Sequence, residues 1–306
     1  MTRFDIASVE GGLAFAPVTE VVTELGESPV WDDRRQALFW CDIPNGTIWT
    51  YAPAKEEVRE IGIGARVGSL GLCESGRLIV AAERSILLVD PETGARRALL
   101  QVEEPFAGRL NDGRVGPDGA FWVGSVSDRA LDDMPAIANL WRVTIGGASC
   151  VATGLKCSNG LAFSRDGRVM MHSDSVAQWV ARHSFDPATG ATGPREVLCR
   201  PDETAGRPDG ATMDCDGIYW SAGVSAGCLN GFDQTGVLRH RVAVPVPHPT
   251  MPCFGGADFR TLYLTSFRKG MSDAELAQAP LSGRLLAARV SRPGFAAPRF
   301  NDRGLA

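Results

Sequence analysis

Short apolar runs recur six times along the 306-residue chain at a nearly constant interval, and this rhythm restricts the fold more than any other feature. The runs occupy residues 37–42, 76–82, 120–124, 168–172, 217–221 and 261–265 and are rich in Val, Ile, Leu, Phe and Trp. Clusters of Gly, Asp, Asn and Pro separate them, as expected of strands divided by turns. With 35 Gly and 19 Pro the chain is turn-dense, and no apolar stripe with helical spacing is sustained. One helical turn is expected at residues 272–278, where Ser272 and Glu275 have the spacing of a capping box.

Each run is the second strand of a longer unit. The units start near Glu27, Gly68, Asn111, Asn159, Asp209 and Gly255, at intervals of 41, 43, 48, 50 and 46 residues. Repeats of about 40–50 residues with four strand-like segments each predict a β-propeller, here all-β and six-bladed with a central channel. A large sandwich or two packed barrels is the rival architecture, and the regular interval argues against it. We expect one domain over residues 1–306, with its core at about 20–290. The lead at Val18–Val22 should close the ring by pairing near residues 285–290, which removes exposed sheet edges.

Composition excludes several classes. Hydrophobic residues at 44% and charged residues at 22% fit a globular protein with a real core. A net charge of −5 argues against nucleic acid as a partner, since phosphate neutralisation needs a basic surface. No apolar window is long enough for a membrane span, and the first ten residues show no leader pattern, so a cytoplasmic location is expected. The eight cysteines contain no C-x-x-C pair and read as buried free thiols. His172, His183, His240 and His248 have no metal-binding spacing, and only His248, between Pro247 and Pro249, is a candidate for the channel mouth. Most of the seven Trp residues are expected between blades.

Polar residues recur at one phase of the repeat. Asn111, Asn159 and Asp209 each stand seven residues before an Asp-Gly pair, and Glu27 stands six before Asp33-Arg34. Equivalent positions on successive inner strands converge on the channel. Gathered carboxylates repel and lose hydration, which a divalent cation relieves. Carboxylate and amide oxygens are hard ligands suited to Ca, Mg or Mn and tolerated by Zn or Fe. The competing reading makes Asn111-Asp112-Gly113, Asn159-Gly160 and Asp209-Gly210 ordinary turns. Arg109 shares a strand face with Asn111 and offers a cation to an anionic or hydroxyl-rich ligand, or else a structural salt bridge.

These motifs resemble a known family. Residues 26–31 (GESPVW), 109–113 (RLNDG), 158–161 (SNGL), 208–210 (PDG) and 249–256 (PTMPCFGG) are similar, in order and spacing, to signatures of the senescence-marker-protein/gluconolactonase/regucalcin-like family. The resemblance implies a six-bladed propeller that hydrolyses sugar-acid lactones with one divalent metal in the channel. It implies Glu27, Asn159 and Asp209 as metal ligands, Asp209 also as the catalytic base, and Arg109 and Asn111 as substrate-binding residues. Many members carry a Glu where this chain reads Gly124-Ser-Val-Ser-Asp128, which leaves Asp128 open as a substrate contact. The expected partner is a small sugar lactone such as arabinonolactone or gluconolactone, acted on by a monomer or weak homo-oligomer. A non-catalytic propeller that binds metal or protein, and a hydrolase of another ester, are the alternatives.

Overall fold

The computed structural model describes residues 13–305, so the N-terminal stretch read for a leader lies outside the described residues. Six antiparallel sheets form the blades of a six-bladed β-propeller. The inner strands are Gly26–Asp32, Val67–Cys73, Gly108–Val115, Ser158–Phe163, Pro208–Met213 and Pro249–Gly255. Each packs against the inner strands of its two neighbours, and the sixth returns to the first. All six apolar runs form second strands, from Ala37–Asp42 in the first blade to Thr261–Ser266 in the last. The sixth unit is phased differently from the sequence-based expectation: its inner strand begins at Pro249, and Gly255 is that strand's last residue.

The apolar residues lie between blades as separate clusters. Val30 and Phe39 of the first blade pack with Leu70 and Val80 of the second, and Leu140 of the third packs with Leu161 and Met170 of the fourth. Trp31 and Leu38 of the first blade meet Tyr263 of the sixth, which seals the ring. Trp40 and Trp122 are fully buried, whereas Trp49 and Trp141 are half-buried. The cysteines form no disulfide. Cys150 departs from the buried-thiol expectation because it lies on the solvent-facing outermost strand Gly147–Leu155, and Cys199 and Cys215 are half-buried.

Ring closure follows the expected pairing. Ala16–Val22 runs antiparallel to Arg284–Arg289, with Ala16 opposite Ala287 and Val22 opposite Arg284. The helix Asp273–Gln278 carries the capping box of Ser272 and Glu275. Among the described residues no helix is long and apolar enough to cross a membrane.

Buried structure continues past residue 290. The C-terminal segment crosses the ring face that carries the turns between first and second strands. The Cys215 N–H donates to Pro293 O (3.0 Å), and the Gly294 N–H donates to Phe259 O (2.9 Å). Arg299–Phe300 then pairs in parallel with the inner strand of the second blade. Arg299 bridges to Asp32 at 2.7 Å and Asp33 at 2.6 Å, and the Asn301 N–H reaches Gly119 O at 2.9 Å. Phe300 is fully buried among Cys73, Leu110 and Phe121. Truncating such a side chain loses its transfer free energy and leaves a cavity. Phe300→Ala should therefore lower the unfolding free energy by about 3–5 kcal/mol, measured by urea denaturation; a loss below about 1 kcal/mol would show that the tail merely rests on the ring.

Candidate functional site

Each inner strand carries a β-bulge where it enters the channel. Register shifts fall between Glu27 and Val30, Leu110 and Gly113, Asn159 and Ala162, and Pro208 and Ala211, with counterparts in the second and sixth blades. A bulge places two residues of one strand against one of its partner and re-aims their side chains. The motifs at Asn111, Asn159 and Asp209 thus lie in strands rather than turns, which corrects the competing reading. The residue after Asn159, Gly160, has φ +61°, and a Cβ there would collide with the Tyr219 hydroxyl and Ser173 Oγ. Ser28 adopts the same left-handed conformation after Glu27, at φ +52°. Its N–H donates to Glu27 Oε2 at 2.9 Å, while its hydroxyl accepts the Leu70 N–H at 2.9 Å.

Glu27, Arg109, Asn111, Asn159 and Asp209 line one open cavity of about 690 Å³ at this end of the channel. Asn159 Nδ2 donates to Asp209 and to Ser175 Oγ (2.9 Å), whose hydroxyl donates to Pro208 O (2.6 Å). Asn159 Oδ1 is buried without a hydrogen-bond partner. Arg109 Nη1 donates to Asn111 Oδ1 at 2.7 Å, and Asn111 Nδ2 donates to Ser158 O at 2.9 Å. The arginine is thereby braced through its strand neighbour rather than by a carboxylate.

Three residues of this region are not singled out by sequence reasoning. Asp112, which reads there as part of a turn, is buried in the cavity floor, where it accepts the Leu161 N–H at 2.9 Å through one oxygen and leaves the other unpartnered. Asp42 accepts the N–H groups of Glu24 (3.0 Å) and Leu25 (3.2 Å) just ahead of Glu27. Asp174 does the same for Lys156 (2.7 Å) and Cys157 (3.2 Å) just ahead of Asn159. A signal for this pair exists, since both acids end second strands at the same phase.

Asp128 sits on the rim, paired at 2.8 Å with Arg66, which also binds Glu83. His248 lies beside the mouth, stacked on Phe267 with centroids 4.5 Å apart and bonded to Val224 O at 3.1 Å. Both Phe267 and Val224 line the cavity. His172 is buried against Ser158 Oγ at 2.9 Å, and burial depresses its pKa to about 3, so it stays neutral. His183 and His240 are likewise held in the blades, by Gly193 O and by stacking on Trp220.

Burial raises the carboxyls. Burial first, then the charges of Asp209 and Asp112, hold Glu27 well above the usual carboxylate range. Burial, then the charge of Asp112, pushes Asp209 up to about 7. Asp112 is itself raised by burial, and burial lowers Arg109. Such perturbed groups in a cleft mark functional sites more often than scaffolds.

Fold and site together define a six-bladed propeller with a polar, carboxylate-rich site at one end of its channel. The chain belongs to the SMP-30/gluconolactonase/LRE-like family, whose model matches residues 25–268. A relative from Pseudomonas putida named 6-deoxy-6-sulfogluconolactonase is 38% identical over 285 residues, covering 90% of this chain and 94% of its own. An L-arabinolactonase from Azospirillum brasilense is 29% identical over 281 residues, covering 90% and 92%. Among solved structures, the regucalcin of Agrobacterium tumefaciens, described as a calcium-binding protein, shares the fold at a TM-score of 0.89 and 24% identity, covering 94% of this chain and 98% of its own.

The raised carboxyls set a pH dependence. A group with a raised folded-state pKa stabilises the fold below its unfolded value, and that stabilisation is lost as pH rises through the folded value. For Asp209 the window runs from about 4 up to about 7. Chelator-treated protein should therefore lose a few kcal/mol of unfolding free energy between about pH 4 and 7, and Asp209→Asn should flatten the slope. A flat profile in the unsubstituted protein would contradict the assignment.

Proposed function

We propose that the chain is a metal-dependent hydrolase that opens a sugar-acid lactone to its free acid. The observation that carries this reading is the convergence of Glu27, Asn159 and Asp209 on one cavity, with Asn159 Oδ1 buried and unpartnered. Among the described residues no three His, Cys, Asp or Glu side chains group as a metal site by themselves. The set proposed here completes two carboxylates with an amide oxygen, a donor chemistry that fits a hard divalent cation. Relatives named for sulfogluconolactone and arabinolactone support a sugar lactone as substrate. Calcium is one candidate ion, supported by the description of the Agrobacterium structure, with Zn, Mn, Mg and Fe open to the same donors.

Glu27, Asn159 and Asp209 would hold the ion, which when bound supplies Lewis acidity toward the lactone carbonyl. Asp209 takes a proton from the attacking water, the part of general base. Asn159 steers Asp209 by the hydrogen bond from its amide. Arg109 and Asn111 grip substrate hydroxyls, and their mutual hydrogen bond holds both in one orientation before the ligand arrives.

Chelation should abolish lactone hydrolysis, and re-addition of one divalent ion should restore it. Asp209→Asn should lower kcat by roughly 10²–10⁴-fold, measured by proton release from a panel of aldonolactones. Full turnover after exhaustive chelation would defeat the metal-dependent reading.

A further inference from the structure

Five charged side chains line the cavity: Glu27, Asp112, Asp209, Arg109 and Arg207. Arg207 has no role assigned in the chemistry above, although its charge lowers the proton affinity of Asp209. It stands two residues before Asp209, as Arg109 stands two before Asn111, so both arginines project from the same phase of blades that flank the fourth. The other arginines near the channel are engaged. Arg66 binds Glu83 and Asp128, Arg109 binds Asn111, and Arg114 donates to Ala211 O at 2.8 Å. Arg207 is half-buried, and its guanidinium has no hydrogen bond or ion pair among the described residues.

Its main chain, by contrast, is pinned. The Arg207 N–H donates to Ser225 Oγ at 3.0 Å, and its carbonyl accepts the Val224 N–H at 3.0 Å. A fixed backbone carrying an unpartnered guanidinium into a concave site is preorganised for a ligand. Charge points the same way. With a divalent cation held by Glu27, Asn159 and Asp209, the ion and two guanidiniums would outweigh the three carboxylates by one positive charge, which a neutral lactone would not balance. Two residues along an extended chain separate Cα atoms by about 7 Å. The Cα of Arg207 thus stands just ahead of the strand Pro208–Met213 that carries Asp209.

We propose that Arg207 is a specificity residue that binds an anionic group at the end of the substrate remote from the lactone carbonyl. The preferred substrates are then sugar lactones bearing a terminal sulfonate, phosphate or carboxylate. A planar guanidinium matches all three by paired, charge-assisted hydrogen bonds. The inference rests on the hydrolytic reading above and narrows its substrate class.

The test compares kcat/KM for glucono-1,5-lactone with that for its 6-phospho and 6-deoxy-6-sulfo counterparts and for glucaro-1,4-lactone, which separates the three anions. The metal-loaded protein should favour at least one anionic lactone by roughly 10–100-fold. In Arg207→Gln that ratio should collapse toward one through KM, with Arg207→Lys retaining part of it, and raising ionic strength should shrink it. Calorimetric binding of 6-phosphogluconate against gluconate gives a second readout, in which the preference should also vanish in Arg207→Gln. Equal efficiency on neutral and anionic lactones, or a preference that survives Arg207→Gln, would overturn the assignment while leaving lactone hydrolysis intact. If no lactone of either kind were turned over, the hydrolytic reading would fail, and the calorimetric comparison would still decide for or against Arg207.

Discussion

Glu27, Asp112 and Asp209 come from three different blades, yet each lies close enough to another for its charge to matter. Removing carboxylates from water while bringing them together is among the costliest arrangements a protein can hold. The surrounding structure answers that cost group by group. Ser28 N–H is turned onto Glu27, Leu161 N–H onto Asp112, and the Asn159 amide onto Asp209. The bulges exist at the same level of the strands because regular pairing does not leave those backbone donors free to turn inward. What hydrogen bonding leaves uncompensated appears as raised proton affinity, and that residue of unmet charge is what a bound cation would take up.

Such an arrangement requires a frame that does not yield to repulsion. The ring supplies it through two long-range closures. The pairing of Ala16–Val22 with Arg284–Arg289 joins the first and last blades, so no blade can tilt outward alone. The C-terminal segment then ties five blades together on the opposite face, from Phe259 and Cys215 through Arg299 to Phe300 and Gly119. Behind the site, Asp42 and Asp174 clamp the backbone that leads into Glu27 and Asn159. Function at the mouth of the channel is thus supported by hydrogen bonds and packing well outside it.

Much of this architecture is legible in the amino-acid sequence. The second strands, the count of blades, the closing strand and the capped helix follow from short-range rules: apolar runs bounded by turn residues, and Ser272 three residues before Glu275. Glu27, Asn159 and Asp209 stand out because one phase of the repeat carries them. The start of the sixth blade does not, because its inner strand contains Pro249 and Pro252, residues that read as loop and shift the apparent start to Gly255. Asp112 is hidden by its neighbours, since Asn-Asp-Gly is a turn signature, and only the bulge turns it into a buried carboxyl.

Local pattern sets which segments pair and which side chains share a phase, because strand periodicity and turn chemistry act over a few residues. The amino-acid sequence therefore determined a six-fold ring and a short roster of inward polar groups. Tertiary structure alone decided what those groups feel. Burial, the approach of Asp112 to Glu27 and Asp209, the bracing of Arg109 and the lack of a partner for Arg207 all depend on how the folded blades set these side chains against one another. The same holds for the tail beyond residue 290, whose Phe300 carries no local sign that it belongs in a core formed by the second and third blades.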